Sequence, residues 1–208
     1  MTSSLDPART AVLALHWQIH VVKPEGFFGG MLAEPVARSG VVDNAVRFHE
    51  SAHAAGATVF HTRFTVPEDG GLMVPNTEFM RSVAEAGESF RPDAEMTRII
   101  PEMAESADHV VDNQKLSGLA GNDLTETLRT KGIDTVLVTG VATNLTVEQT
   151  ARHATDLGFI THVISDCVTT TDETTHQASL SNLDMTTAGC RTAADTLAGL
   201  AVGVSQSH

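Results

Sequence analysis

The sequence contains no tyrosine, one tryptophan and only 4% aromatic residues. Few rings are therefore available to stack a flat ligand, and Trp17, Phe27 and Phe28 are prominent among them. Two cysteines, Cys167 and Cys190, neither in a C-x-x-C pair, exclude a disulfide framework and read as buried apolar thiols. Basic residues are scarce: 13 Lys and Arg stand against 26 Asp and Glu, a formal net charge of −13. A chain this acidic repels a phosphate backbone, which excludes nucleic acid as a partner. No apolar run approaches the ~18–20 residues of a membrane span, so no membrane association is expected. The segment Met1–Pro7 lacks the basic-then-apolar layout of a signal peptide, which leaves a cytoplasmic location as the expectation.

What is present suits one domain over residues 1–208, with 41% hydrophobic and 19% charged residues. The ten histidines are scattered, and only His16/His20 and His49/His53 have i, i+4 spacing. His16 falls in a strand-like run, where that spacing does not align two side chains as it would on a helix. His49 and His53 lie on a helical stretch with no further obvious ligand. Neither metal nor cofactor is expected.

Short β-branched runs alternate with amphipathic stretches. Strands are expected at 11–15, 57–62, 109–112, 135–139, 159–164 and 185–188. Helices are expected at about 41–55, in the segment leading to 86, and at 123–131, 145–157, 173–183 and 193–200, with a Gly/Phe-rich loop over 25–30. Such alternation means an α/β fold, a three-layer α/β/α sandwich around a mostly parallel, Rossmann-like sheet of about six strands. Ligands of such sheets bind beyond the C-terminal strand ends. That directs attention to His16-Trp17-Gln18, Arg63, Asn113-Gln114-Lys115, Gly140–Asn144 and Asp166-Cys167.

The most specific stretch is Val138–Ala154, VTGVATNLTVEQTARHA. It reads as a strand, a tight turn and a helix whose first turn offers N–H groups to an anion or oxyanion, with Thr146 near the helix start. This stretch resembles the isochorismatase-like hydrolases, or cysteine hydrolases, in which it typically reads G-V-A-T-x-x-C-V-x-x-T-A-x-x-A. Gly140, Val141, Ala142, Thr143, Val147, Thr150, Ala151 and Ala154 match. Lys115–Leu124 resembles the family's lysine motif, His16-Trp17-Gln18 its D-x-Q, and Ile164–Val168 with His176 its closing segment. The similarity covers about residues 9–201. It implies a hydrolase of a small amide, carbonyl or vinyl-ether metabolite, a homo-oligomer (with Phe27-Phe28 as apolar contact surface), and a cis peptide between Val141 and Ala142.

Against the family's Asp, Lys, Cys triad, this sequence has His16, Lys115 and Thr146. The Asp-x-His metal motif of nicotinamidases is also missing from Thr62-Arg63-Phe64-Thr65, which argues against that activity. A threonine hydroxyl is a far weaker acid than a thiol and needs an adjacent base, for which neutral His16 is the candidate. Lys115 would then hold an oxyanion or carboxylate. A second route uses protonated His16 as an acid toward a vinyl ether. A third reading is a catalytically silent member that binds a small ligand or a partner subunit. Gln18, Arg63, Trp17, Phe28, Val141 and Ala142 are the expected substrate-binding residues. Arg63 is read either as a carboxylate anchor or as a surface residue paired with an acid.

Overall fold

A computed structural model describes residues 4–206. Six parallel strands form one sheet: β1 (Thr10–Leu15), β2 (Thr58–Phe64), β3 (His109–Asn113), β4 (Thr135–Val141), β5 (Ile160–Thr169) and β6 (Cys190–Arg191). Their order is β3-β2-β1-β4-β5-β6, so the winding reverses between β1 and β4. The helices are α1 (Ile19–Val22), α2 (Gly29–Ser39), α3 (Val41–Ala54), α4 (Glu78–Glu85), α5 (Leu124–Thr130), α6 (Glu148–Asp156), α7 (Glu173–Thr186) and α8 (Ala193–Gln206).

β1 is buried along its whole length, and its alternation divides the core in two. Val12 and Ala14 face one layer with Phe48 and Ala52 of α3, Leu32 of α2 and Leu200 of α8. Ala11, Leu13 and Leu15 face the other, with Leu128 of α5, Ala151 and Ala154 of α6 and Leu183 of α7. Helices on both faces of a parallel sheet make the three-layer sandwich expected from the strand–helix alternation.

The structure departs from the sequence reading in three places. Residues 29–39 form α2, despite the glycines at its start and Pro35 inside it. The stretch 185–188 is not a strand, and the sixth strand lies further on, at Cys190–Arg191, beside Val163 and Ile164 of β5. Helix α7 runs on to Thr186, and in its last turn the Thr186 and Thr187 hydroxyls donate to the carbonyls of Asn182 and Leu183, both at 2.7 Å. β5 also continues past Ile164 across a register shift against β4, which places Asp166 and Cys167 within the strand rather than beyond it.

Candidate active site

β1 and β4 lie side by side with Leu15 opposite Gly140, so their exits bring His16 and Val141-Ala142 together at the topological switch point. Gly140 is required there: its φ is +142°, and a Cβ would stand 2.4 Å from the Leu15 carbonyl oxygen. The peptide between Val141 and Ala142 is cis.

His16 leaves β1 with φ +55°, a left-handed conformation that His, Asn and Asp adopt more readily than most residues. Its N–H donates to the Thr62 carbonyl at 3.1 Å, and its ring meets Phe64 edge-on. Nε2 lies 3.4 Å from Oδ1 of Asn113. The Asn113 amide nitrogen donates to the carbonyls of Lys115 (2.7 Å) and Ser117 (2.9 Å), so Oδ1 is the atom turned to the ring. Nε2 therefore carries the hydrogen and Nδ1 the lone pair. Burial, only partly offset by the Asn113 bond, lowers the His16 pKa to about 4, so the ring is neutral at pH 7.

Thr146 is 2% exposed and sits in a wide π-type turn, Thr143–Val147, ahead of α6. Its hydroxyl donates to the Leu116 carbonyl at 2.8 Å. The N–H groups of Leu145 and Val147 turn back onto the Ala142 carbonyl, at 3.2 and 3.3 Å. Those two donors are thus spent within the turn and do not form the anion cradle expected of a first helical turn.

His16, Thr146, Val141, Ala142 and Phe28 line one small cavity of about 40 Å³. Phe79 also lines it, stacked on Phe28 with ring centroids 5.4 Å apart. Lys115 does not line this cavity. It lines an adjoining groove of about 610 Å³, and Leu116 lines both.

The remaining expected binding residues lie elsewhere. Trp17 is fully buried in the core, with Nε1 3.4 Å from the Thr139 hydroxyl. Gln18 spends its amide on Phe64 and Thr97: it donates to both carbonyls (3.0 and 2.8 Å) and accepts from the Phe64 N–H (2.7 Å). Arg63 forms a two-point ion pair with Asp112, at 2.7 and 2.9 Å, across the β2–β3 register. Arg63 thus pairs with an acid and does not line the cavity.

Sequence reasoning missed Asn113 as the partner of His16 and Phe79 as the cover of Phe28. Asn113 ends a strand, which is a signal in itself, but it stands two residues before the more conspicuous Lys115. Neither cysteine is close to being a nucleophile: burial raises both thiol pKa values, that of Cys190 to about 11. Among the described residues, no three His, Cys, Asp or Glu side chains gather as a metal site, and no helix is long and apolar enough to cross a membrane.

A cavity at the switch point of a parallel sheet is where α/β enzymes and binding proteins take their ligands, and sequence comparison gives the family of this chain. The isochorismatase domain matches residues 10–195, and the chain belongs to the isochorismatase family. It is 28% identical over 181 residues to the uncharacterized isochorismatase family protein YwoC of Bacillus subtilis, covering 86% of this chain and 87% of that one. It is 27% identical over 194 residues to a ureidoacrylate amidohydrolase, RutB, of Methylobacterium radiotolerans (87% and 75% covered). The crystal structure of a cysteine hydrolase from Pseudomonas syringae pv. phaseolicola superposes with TM-score 0.83 at 23% identity, covering 96% of this chain and 95% of that one, and shares its fold.

Proposed function

We propose that this chain hydrolyses a small amide in the cavity between His16 and Thr146. The observation that carries the reading is a neutral His16 whose Nδ1 lone pair is unprotonated, on the wall of the cavity that Thr146 also lines. Similarity to a ureidoacrylate amidohydrolase supports an amide as the substrate class.

In this reading the Thr146 hydroxyl turns from the Leu116 carbonyl toward the substrate. Oγ1 bonds to the acyl carbon as its proton passes to Nδ1 of His16. The C–N bond then breaks, and the amine leaves with that proton. Water, deprotonated by the same nitrogen, cleaves the acyl ester and restores the hydroxyl. The cavity is small in this structure and is lined by the stacked Phe28 and Phe79 rings, so in this reading substrate entry widens it beside those rings. The low His16 pKa disfavours the alternative in which protonated His16 acts as an acid on a vinyl ether.

A second reading, a catalytically silent binding member, is favoured by one observation: the Thr146 hydroxyl is already committed to a backbone carbonyl. Turnover of ureidoacrylate and other small amides separates the two. Thr146→Ala abolishes turnover, Thr146→Ser keeps part of it, and the rate rises with pH only near 4 and is level from about 6 to 8. A rate falling through the histidine range points to the acid route, and no turnover of any amide points to the silent member.

We also read the chain as a cytoplasmic homo-oligomer. The exposed Phe27 (42%) and Met31 (46%) support a subunit contact, and sedimentation as a monomer at micromolar concentration refutes it.

A further inference from the structure

We propose that the groove lined by Lys115, Ser117 and His153 binds the carboxylate of a small organic acid, at a site distinct from the His16–Thr146 cavity. Its volume of about 610 Å³ is in the range of small-molecule sites, whereas the neighbouring cavity is about 40 Å³.

The donors are set by the hydrogen bonding. Ser117 is 4% exposed, and its Oγ lies 2.9 Å from Nδ1 of His153 while accepting the Leu119 N–H at 3.3 Å. Among the described residues, the acceptor for the Ser117 hydroxyl hydrogen is therefore Nδ1. That places the ring hydrogen on Nε2, and no described residue bonds that nitrogen. The Lys115 ammonium likewise forms no ion pair or hydrogen bond among the described residues, although acids outnumber bases two to one in this chain. A buried serine thus fixes one N–H donor beside one unpaired cation.

The other charges narrow the ligand. Arg152 lines the groove but is bound to Glu148 (3.0 and 3.2 Å), which also accepts from Ser179 at 2.9 Å. Asp156 is the groove's acid and does not pair with Lys115. One free cation and one N–H match the two oxygens of a single carboxylate. A phosphate dianion in the same place meets Asp156 with twice the charge, and the second cation there, Arg152, is already paired with Glu148.

The site does not depend on turnover, because its probes are unreactive. Isothermal titration calorimetry of the full chain, at constant ionic strength, compares succinate, inorganic phosphate and butane-1,4-diol, an uncharged probe with no bond to hydrolyse. Succinate binds saturably at one site per chain, phosphate at least tenfold more weakly, and butane-1,4-diol gives no saturable heat. Lys115→Met and His153→Phe each weaken succinate at least tenfold, Lys115→Arg retains most of the affinity, and circular dichroism confirms that each variant is folded. Thr146→Ala, which tests the cavity, leaves succinate binding in place. Absence of saturable binding, equal affinity for phosphate, indifference to Lys115→Met, or loss of binding in Thr146→Ala would overturn the assignment.

Discussion

Acidification from about pH 7.5 to about pH 5 should remove roughly 6 kcal/mol of folding stability, through three buried histidines. His16, His49 and His61 are each 6% exposed or less. Burial lowers their pKa values to about 4, 3 and 4, with the mutual repulsion of the two rings adding to the effect at His49. Their contacts offer a proton no compensating carboxylate. His49 Nε2 bonds the Thr139 hydroxyl (2.8 Å), His61 Nε2 lies 3.3 Å from the Ser106 hydroxyl, and Nδ1 of both rings is buried without a partner. In the unfolded chain each titrates near ~6.5, so below that pH the unfolded state binds the extra protons and stability falls as pH falls, until the folded pKa values are reached. At about pH 5 each histidine contributes a loss of about 2 kcal/mol, nearly the same whether its folded pKa is 3 or 4. The combined loss is comparable with the whole stability of a typical domain, about 5–15 kcal/mol. Glu102 and Asp172, whose pKa values are lowered by their hydrogen bonds, lose their stabilising effect only in stronger acid, whereas His20, His162 and His176, whose pKa values partial burial also lowers, add to the loss in this window. Urea unfolding followed by circular dichroism at the two pH values measures the difference, and His49→Phe should shrink it by about 2 kcal/mol. A loss below about 2 kcal/mol, or a pH dependence unaltered in His49→Phe, refutes the reasoning.

Two further outcomes rest on packing rather than titration. Gly140→Ala forces a Cβ to within 2.4 Å of the Leu15 carbonyl oxygen at a φ of +142°, and should lower the melting temperature by about 6–12 °C, measured by differential scanning calorimetry. Arg63→Met leaves Asp112 without its two-point partner and should cost about 1–3 kcal/mol in urea unfolding. Because Arg63 lies off the cavity, KM for any amide turned over should be unchanged in that variant.

The strand–turn–helix of residues 135–156 was legible because its signals agree. A β-branched run gives the strand, Gly140 permits the close approach to β1, and Ala151 and Ala154 mark the buried side of α6. Helix α2 was hidden because its residues contradict its conformation. Gly29 is present because a Cβ would meet the Lys23 carbonyl oxygen at 2.4 Å, and Pro35 is held inside the helix by burial of Leu32, Pro35 and Val36. Tertiary packing there overrides propensity. At the site, the positions of His16 and Thr146 followed from the strand ends, but side-chain directions did not. Arg63 became an ion-pair partner because strand register sets it beside Asp112, and no local pattern carries that register. Lys115 follows β3 as expected, yet lines the groove rather than the cavity, while the Asn113 amide binds the Lys115 and Ser117 carbonyls.

That outward-facing lysine is tied to the histidine at position 16. A neutral imidazole needs no counter-ion, and a hydrogen bond to Asn113 satisfies its Nε2–H. A carboxylate in the same place would be a charge in a nearly dry cavity, stable only with a cation or a proton. His16→Asp tests this directly. The backbone does not resist the change, since φ +55° suits Asp as well as His. Asn113 Oδ1 would then face the new carboxylate instead of an N–H, and Lys115, two residues beyond Asn113, is the cation we expect to supply a positive charge. His16→Asp should therefore cost about 2–4 kcal/mol at neutral pH. Lys115→Met should cost little in the wild-type background, where the ammonium is unpaired, and at least ~1 kcal/mol more in the His16→Asp background. The coupling should vanish at about pH 4, where the introduced carboxyl is protonated. Urea unfolding of the four proteins at two pH values completes the cycle. Additive costs at neutral pH would show that Lys115 cannot reach the cavity, so that its direction belongs to the loop rather than to the neutrality of His16.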